Sequence, residues 1–262
     1  MINIASADIN AWLAAFLWPL ARILGMFTAA PVFGNQSLPI PVKVGLALLI
    51  TFAVAPMLPA LPRVDPASGD GLLILAEQAL IGLTMGYAMS IAFAAVDMAG
   101  ELIGLEMGLG FASFYDPRGT DNPILAAFLG LMTTLVFLSI DGHLMMIALL
   151  ADSFQALPIA SGPIAAKSMH TLALWGGKIF LTGLLLSLPL LAALLVTNLA
   201  LGVLTRAAPQ LNLFAIGFPI TLGIGLAVLA LSLPYFLPSL ERLFQDGFDA
   251  MLRVAGDARP SR

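Results

Sequence analysis

The sequence predicts an all-α protein: a bundle of long, apolar helical hairpins broken by prolines. Three observations carry that expectation. Hydrophobic residues make up 60% of the 262 positions and charged residues only 10%, whereas soluble domains are about 45–50% apolar and about 25% charged. The mean hydropathy is +1.00, which disorder and ordinary water-soluble folds do not reach. Apolar runs near twenty residues recur along the whole chain, and about twenty helical residues cover the roughly 30 Å of a bilayer's hydrocarbon core.

Taken in order, the first run, Ile9–Phe33, carries Arg22 near its middle. The residues before it include Asp8 and no lysine or arginine, so they lack the cationic start of a cleavable signal, and the run is expected to stay in the mature protein. The second run, Val42–Leu61, follows Pro39 and Pro41 and gives way to Pro56, Pro59, Pro62 and Pro66, which a continuing helix would not tolerate. The third, Leu72–Val96, contains Glu77, and the fourth spans Pro123–Leu150. The fifth, Leu172–Leu204, holds Lys178 and Pro189, and the sixth, Leu211–Leu237, holds Pro219 and Pro234. Such prolines are tolerated in lipid where neighbouring helices or a cavity satisfy the freed backbone groups.

If all six runs span, both termini share one side with Arg63, Lys167, Arg242, Arg253, Arg259 and Arg262, leaving Lys43, Arg118 and Arg206 on the other. That bias favours a cytoplasmic C-terminus. Ionisable groups within the runs cost several kcal/mol if unpaired; Glu77 and Lys178 can snorkel towards an edge, which Arg22, eleven residues from Phe33, cannot easily do.

The segment Asp97–Asn122, DMAGELIGLEMGLGFASFYDPRGTDN, departs from this pattern. Gly100, Gly104 and Gly108 form a GxxxGxxxG stripe, a spacing that lets helix backbones approach closely. Asp97 and Glu101 lie beside the stripe at helical geometry and Glu106 almost opposite. Three carboxylates without a basic neighbour fit a wet cavity, an interface with a partner's cations, or an amphipathic linker at the headgroups. Beyond them, Met107, Gly108, Leu109, Gly110, Phe111, Ala112, Ser113, Phe114, Tyr115, Asp116 and Pro117 combine glycines, aromatics and a turn-forming Asp-Pro. This composition suits a deformable apolar constriction and equally an interfacial loop anchored by aromatics.

The remaining chemistry is mostly exclusion. The net charge of −4 argues against nucleic acid. The absence of cysteine removes thiolate, disulfide and Cys-based metal sites, and two histidines, His143 and His170, are too few for a His-rich centre. HExxH, GxSxG and P-loop patterns are absent, so no catalytic residue, cofactor or metal site is expected.

The stretch Asn198–Pro219, NLALGVLTRAAPQLNLFAIGFP, resembles the signature of the FliR family of flagellar export-gate proteins, whose injectisome relatives are the SctT-type subunits. Collinear landmarks agree: Arg22, Ala30–Gly34, Leu38-Pro39, Val42-Lys43, Glu77 with Gly82, Ala99-Gly100, Met107-Gly108, Asp116-Pro117, Gly142-His143, Ser153-Phe154 with Pro158, and Leu188–Leu190. Asp141 departs from the family pattern, which has a small residue there. Read alone, the Leu204–Asn212 turn with Arg206, Gln210 and Asn212 is a polar hairpin turn able to anchor at the membrane face or dock a partner.

The resemblance implies a subunit of the type III secretion gate in the bacterial inner membrane, within the flagellar basal body and projecting toward the periplasm. It implies helices built to pack in a helical multi-subunit gate rather than as a simple six-span bundle. It also implies partners FliP, FliQ, FlhB and FlhA-type subunits, contact with membrane lipids, and unfolded export substrates in a central channel. Residues 1–170, including a plug loop over 106–122, would correspond to FliP, and residues 171–262 to a FliQ-like hairpin with a basic tail. Met107–Pro117 matches the plug, the glycine stripe becomes helix packing, and Arg22, Lys43, Glu77, Asp97, Glu101, Glu106 and Arg206 become buried or interface charges. An injectisome subunit shares the motif. A six-helix secondary transporter is the reading from another class, but residues 1–130 and 131–262 show no repeated pattern.

Overall fold

The structure, a computed structural model, describes residues 6–59, 62, 64–110, 123–159, 166–208 and 213–256. The regular elements among the described residues are all helices: α1 (Ser6–Ala29), α2 (Ile40–Val54), α3 (Gly69–Glu106), α4 (Ile124–Ser139), α5 (Gly142–Ala156), α6 (Ala166–Gly176), α7 (Lys178–Ala207) and α8 (Leu213–Gly256). The all-α expectation holds. Among the described residues, five helices are long and apolar enough to cross a membrane, or up to six spans if α4 and α5 count as one. The orientation argument from basic residues needs the even count.

The element boundaries follow local chemistry. Pro41 near the start of α2 supplies a pre-set backbone angle where no amide hydrogen bond is needed. Pro56, which cannot donate to the ladder, ends the helix in a 3₁₀ turn over Ala55–Met57. Pro19, Pro189 and the trio Pro219, Pro234 and Pro238 instead lie inside α1, α7 and α8. Those helices run through their prolines, and the chain breaks elsewhere.

One break is at Asp141. The expected fourth run bends there by 64° into α4 and α5, and Asp141 adopts a left-handed backbone with φ 55° and ψ 27°. Aspartate tolerates this region better than most residues, glycine better still, which gives a physical reason for a small residue at this position. Asp141→Gly is expected to stabilise the protein by about 0.5–1 kcal/mol, and Asp141→Val to destabilise it by more than that. Thermal unfolding of the purified variants checks both signs.

Two helices outrun their apolar stretches. Asp97–Glu106, helical in the sequence reading with an amphipathic linker as one alternative, completes α3, which reaches 38 residues. The sixth run extends past Leu237 to Gly256 and gives α8 44 residues. At about 1.5 Å per residue both exceed the roughly 30 Å of a hydrocarbon core, α8 by about twofold.

The chain forms two compact units, and α3 and α8 contribute to each. The first comprises Met1–Ile91, Asp141–Gly176 and Phe244–Arg262; the second comprises Ala92–Ile140 and Gly177–Leu243. In the first, Gly25 of α1 faces the backbone carbonyl of Ala79, and Gly82 of α3 faces the carbonyl of Arg22, so closely that a Cβ on either would collide with backbone. Trp18 is fully buried and donates its indole N–H to the Gly71 carbonyl at 3.3 Å. Phe16 of α1 packs on Phe52 of α2 with ring centroids 5.0 Å apart.

In the second unit, Phe93 of α3 meets Phe137 of α4 edge-on at 5.4 Å. Gly183 of α7 leaves room for the α3 backbone, since a Cβ there would lie 2.9 Å from the Ala95 carbonyl oxygen. The packed face of α7 runs through Gly183, Ser187, Leu190, Leu194 and Leu201, a helical spacing of three, four and seven. The packed face of α8 is equally regular: Gly217, Thr221, Gly225 and Leu229 are buried every fourth residue.

Candidate functional site

Two places gather the residues singled out by sequence. The first surrounds Arg22, which is completely buried. Its Nε and Nη2 donate to Gln78 Oε1 at 2.8 and 2.5 Å, Nη1 donates to Ser153 Oγ at 3.1 Å, and Nη2 donates to the Leu157 carbonyl at 2.9 Å. The guanidinium also lies over the Phe154 ring, 4.2 Å from its centroid, a cation–π arrangement. All these acceptors are neutral. The carbonyl of Leu157 is available because Leu157 leaves helical geometry, with φ −129° and ψ 86°, immediately before Pro158, as a residue preceding proline is pushed to do. A planar fork with five donors can join α1, α3 and α5 in this way; a lysine cannot.

Sequence reasoning found Arg22, and it found Ser153-Phe154 and Pro158 as landmarks without their connection. It missed Gln78, the residue beside Glu77. A lone amide inside an apolar run is the signal that was available. Glu77 itself is half-buried and has no hydrogen-bond or ion-pair partner among the described residues. Lys43, also half-buried, donates to the Gly34 carbonyl at 3.0 Å.

The second place is the end of α3. Gly100 is buried against α4: a Cβ there would lie 2.5 Å from the Ala126 Cα. Gly104 is different, since its Cβ would meet only the Leu125 Cβ at an ordinary 3.8 Å. Gly108 has left the helix altogether. Its φ is 78°, the Gly108 amide donates to the Leu105 carbonyl at 3.0 Å, and the Leu109 amide donates to the Gly104 carbonyl at 2.9 Å. This pair of bonds is a Schellman motif, which uses a left-handed glycine to end a helix. The three glycines therefore do three jobs: backbone contact at Gly100, ordinary packing at Gly104, and chain reversal at Gly108.

Asp97 and Glu101 are exposed on α3, with no hydrogen-bond or ion-pair partner among the described residues; the Asp97 carboxylate lies beside Gly130 of α4. Glu106 is half-buried and accepts a hydrogen bond from Asn198 Nδ2 of α7 at 2.9 Å. Met107 is fully buried, and its side chain covers Gly225 of α8 so closely that a Cβ there would lie 2.7–2.9 Å from its outer atoms. Gly108, Leu109 and Gly110 are half-buried. Phe111, Ala112, Ser113, Phe114, Tyr115, Asp116 and Pro117 lie outside the described residues. So do Gln210 and Asn212, while Arg206 is exposed in the last turn of α7, where a cation is favoured by the helix dipole.

Comparison with known proteins matches the family described as bacterial export proteins, family 1, over residues 13–247. The chain is 49% identical to the flagellar biosynthetic protein FliR of Pectobacterium carotovorum subsp. carotovorum, covering 97% of each chain. It is 44% identical to FliR of Escherichia coli (strain K12), covering 98% of each. The resemblance extends to FliR of Aquifex aeolicus (strain VF5), at 32% identity over 90% of this chain and 92% of that one. With its apolar helices and this similarity over nearly the whole length, the chain belongs to the FliR family of bacterial export proteins and is a membrane-located component of the flagellar export apparatus.

Proposed function

We propose that this chain is a subunit of the flagellar type III export gate in the bacterial inner membrane, within the basal body, and that it forms part of the channel for unfolded flagellar proteins. Residues 107–117 close the resting channel. The observation that carries the assignment is the match to FliR proteins across 97–98% of both chains. In support of the closing role, Gly108 ends α3 at the start of the proposed closing segment, whose sequence carries Phe111, Phe114 and Tyr115. Bulky apolar groups can block a narrow lumen by excluding water, and the task calls for no catalysis.

The partners in this reading are FliP, FliQ, FlhB and FlhA-type subunits, with residues 1–170 corresponding to FliP and 171–262 to FliQ. The lengths of α3 and α8, both beyond a hydrocarbon core, support helices that project from the bilayer toward the periplasm and pack against other subunits. Asp97 and Glu101, exposed on α3, then face a partner or the wet channel, and lipid meets the apolar outer faces of α2 and α7. Coexpression with FliP and FliQ followed by purification tests the assembly. A stable complex containing all three is expected. Recovery of this chain alone, with solute uptake in proteoliposomes, would establish a transporter instead.

A further inference from the structure

We propose that Asn198 of α7 and Gly225 of α8 are positioning residues that fix the end of α3, and with it the start of the segment closing the channel. The proposal rests on the reading of residues 107–117 as that segment. Two contacts from two helices converge on consecutive residues. Asn198 Nδ2 donates to Glu106 Oε1 at 2.9 Å, and Gly225 provides the notch that the Met107 side chain fills. The next residue is Gly108, at φ 78°, where the helix stops.

The two contacts differ in kind. Asn198 is an exposed amide one helical turn from the buried Leu194 and Leu201 of α7, so its bond to Glu106 is a specific polar pairing that competes with water. Gly225 lies in the small-residue stripe of α8, with Gly217 and Thr221 below it, and any side chain there would push Met107 away. A glycine turn transmits little by itself, because its backbone is permissive. Holding Glu106 and Met107 on both sides removes that freedom one residue before the turn. The hairpin of α7 and α8 thereby sets where the closing segment begins.

The test measures potassium conductance of the purified multi-subunit complex in planar bilayers. Deletion of residues 110–115 is the reference that reads the closing role. Asn198→Asp places a second carboxylate against Glu106 and is expected to raise closed-state conductance at least threefold. Glu106→Gln alone keeps an acceptor oxygen and is expected to stay within twofold of the unaltered complex. The double variant Asn198→Asp/Glu106→Gln restores a donor–acceptor pair with the roles exchanged and is expected to bring conductance back to that range. A rescue of this kind would not follow from a general loss of stability.

If Asn198→Asp fails to assemble, Asn198→Leu removes the donor without adding charge, and Gly225→Val displaces Met107. Each is expected to leak at least threefold above the unaltered complex. Unchanged conductance in these variants, or failure of rescue, overturns the positioning role when the 110–115 deletion leaks. A silent deletion overturns the closing role, and the positioning role falls with it.

Discussion

Arg22→Ala is expected to reduce the yield of folded, assembled protein more than tenfold, the largest single effect available in the first unit. The side chain is completely buried and joins three helices through four hydrogen bonds. Truncation strands Gln78 Oε1 and the Leu157 carbonyl, each an unpaired buried acceptor costing about 1–3 kcal/mol. It also opens a cavity beside Phe154, which costs further in proportion to its volume. The sum is comparable with the whole stability of many domains, about 5–15 kcal/mol. Arg22→Lys is expected to be nearly as damaging, because one ammonium cannot satisfy Gln78, Ser153 and Leu157 from the guanidinium's positions. By contrast, Arg22→Met combined with Gln78→Leu removes charge and acceptor together and is expected to recover much of the loss. Size-exclusion yield and thermal midpoint of the four proteins check the order. Equal loss in the single and double variants would contradict the hydrogen-bonding account.

Gly100→Leu is expected to prevent α3 and α4 from packing and to abolish recovery of the assembled complex. Even a Cβ would sit 2.5 Å from the Ala126 Cα, and the obstacle is backbone, which cannot rotate aside as a side chain can. Overpacking of a fitted interior costs about 1–3 kcal/mol, and more where backbone must shift. Gly104→Ala, one turn along, is expected to be tolerated, since its Cβ would make ordinary contact with Leu125 at 3.8 Å. The discriminating measurement is complex yield for the two variants side by side. Equal yields would show that the close approach at Gly100 is not needed.

The contrast between Gly100 and Gly104 shows what was legible in the sequence. The GxxxGxxxG pattern marks a helix face but not the register of the helix opposite it, and that register decides which glycine bears backbone contact. The helix lengths show the same limit. Apolar runs delimit burial and stop near Val96 and Leu237, where charged residues begin, but they do not delimit α3 and α8. A helix persists past that point whenever its polar residues find water or partners, as Glu106 finds Asn198.

Prolines leave two readings open in sequence. Pro189, Pro219 and Pro234 fit either ordinary kinks or broken helices, and the helices continue through them, while the sharp bend falls at Asp141. In sequence, Asp141-Gly142-His143 reads as a turn between helices, and the bend falls on that triplet. A left-handed position is hard to foresee from one aspartate, whereas a glycine pair would have announced it. Arg22, Ser153 and Pro158 were each visible as separate landmarks more than a hundred residues apart, and no local pattern connects them. Asn198 opened the signature stretch, but its partner lies 92 positions away. Long-range polar pairs of this kind are fixed by tertiary packing.

The gate account is tested most directly by the ion conductance of the purified complex in which residues 110–115 of this chain have been deleted. The account predicts assembly at normal yield and a closed-state potassium conductance well above that of the unaltered complex, because the apolar groups that exclude water are gone. Normal assembly with unchanged conductance would contradict it and place the closure elsewhere.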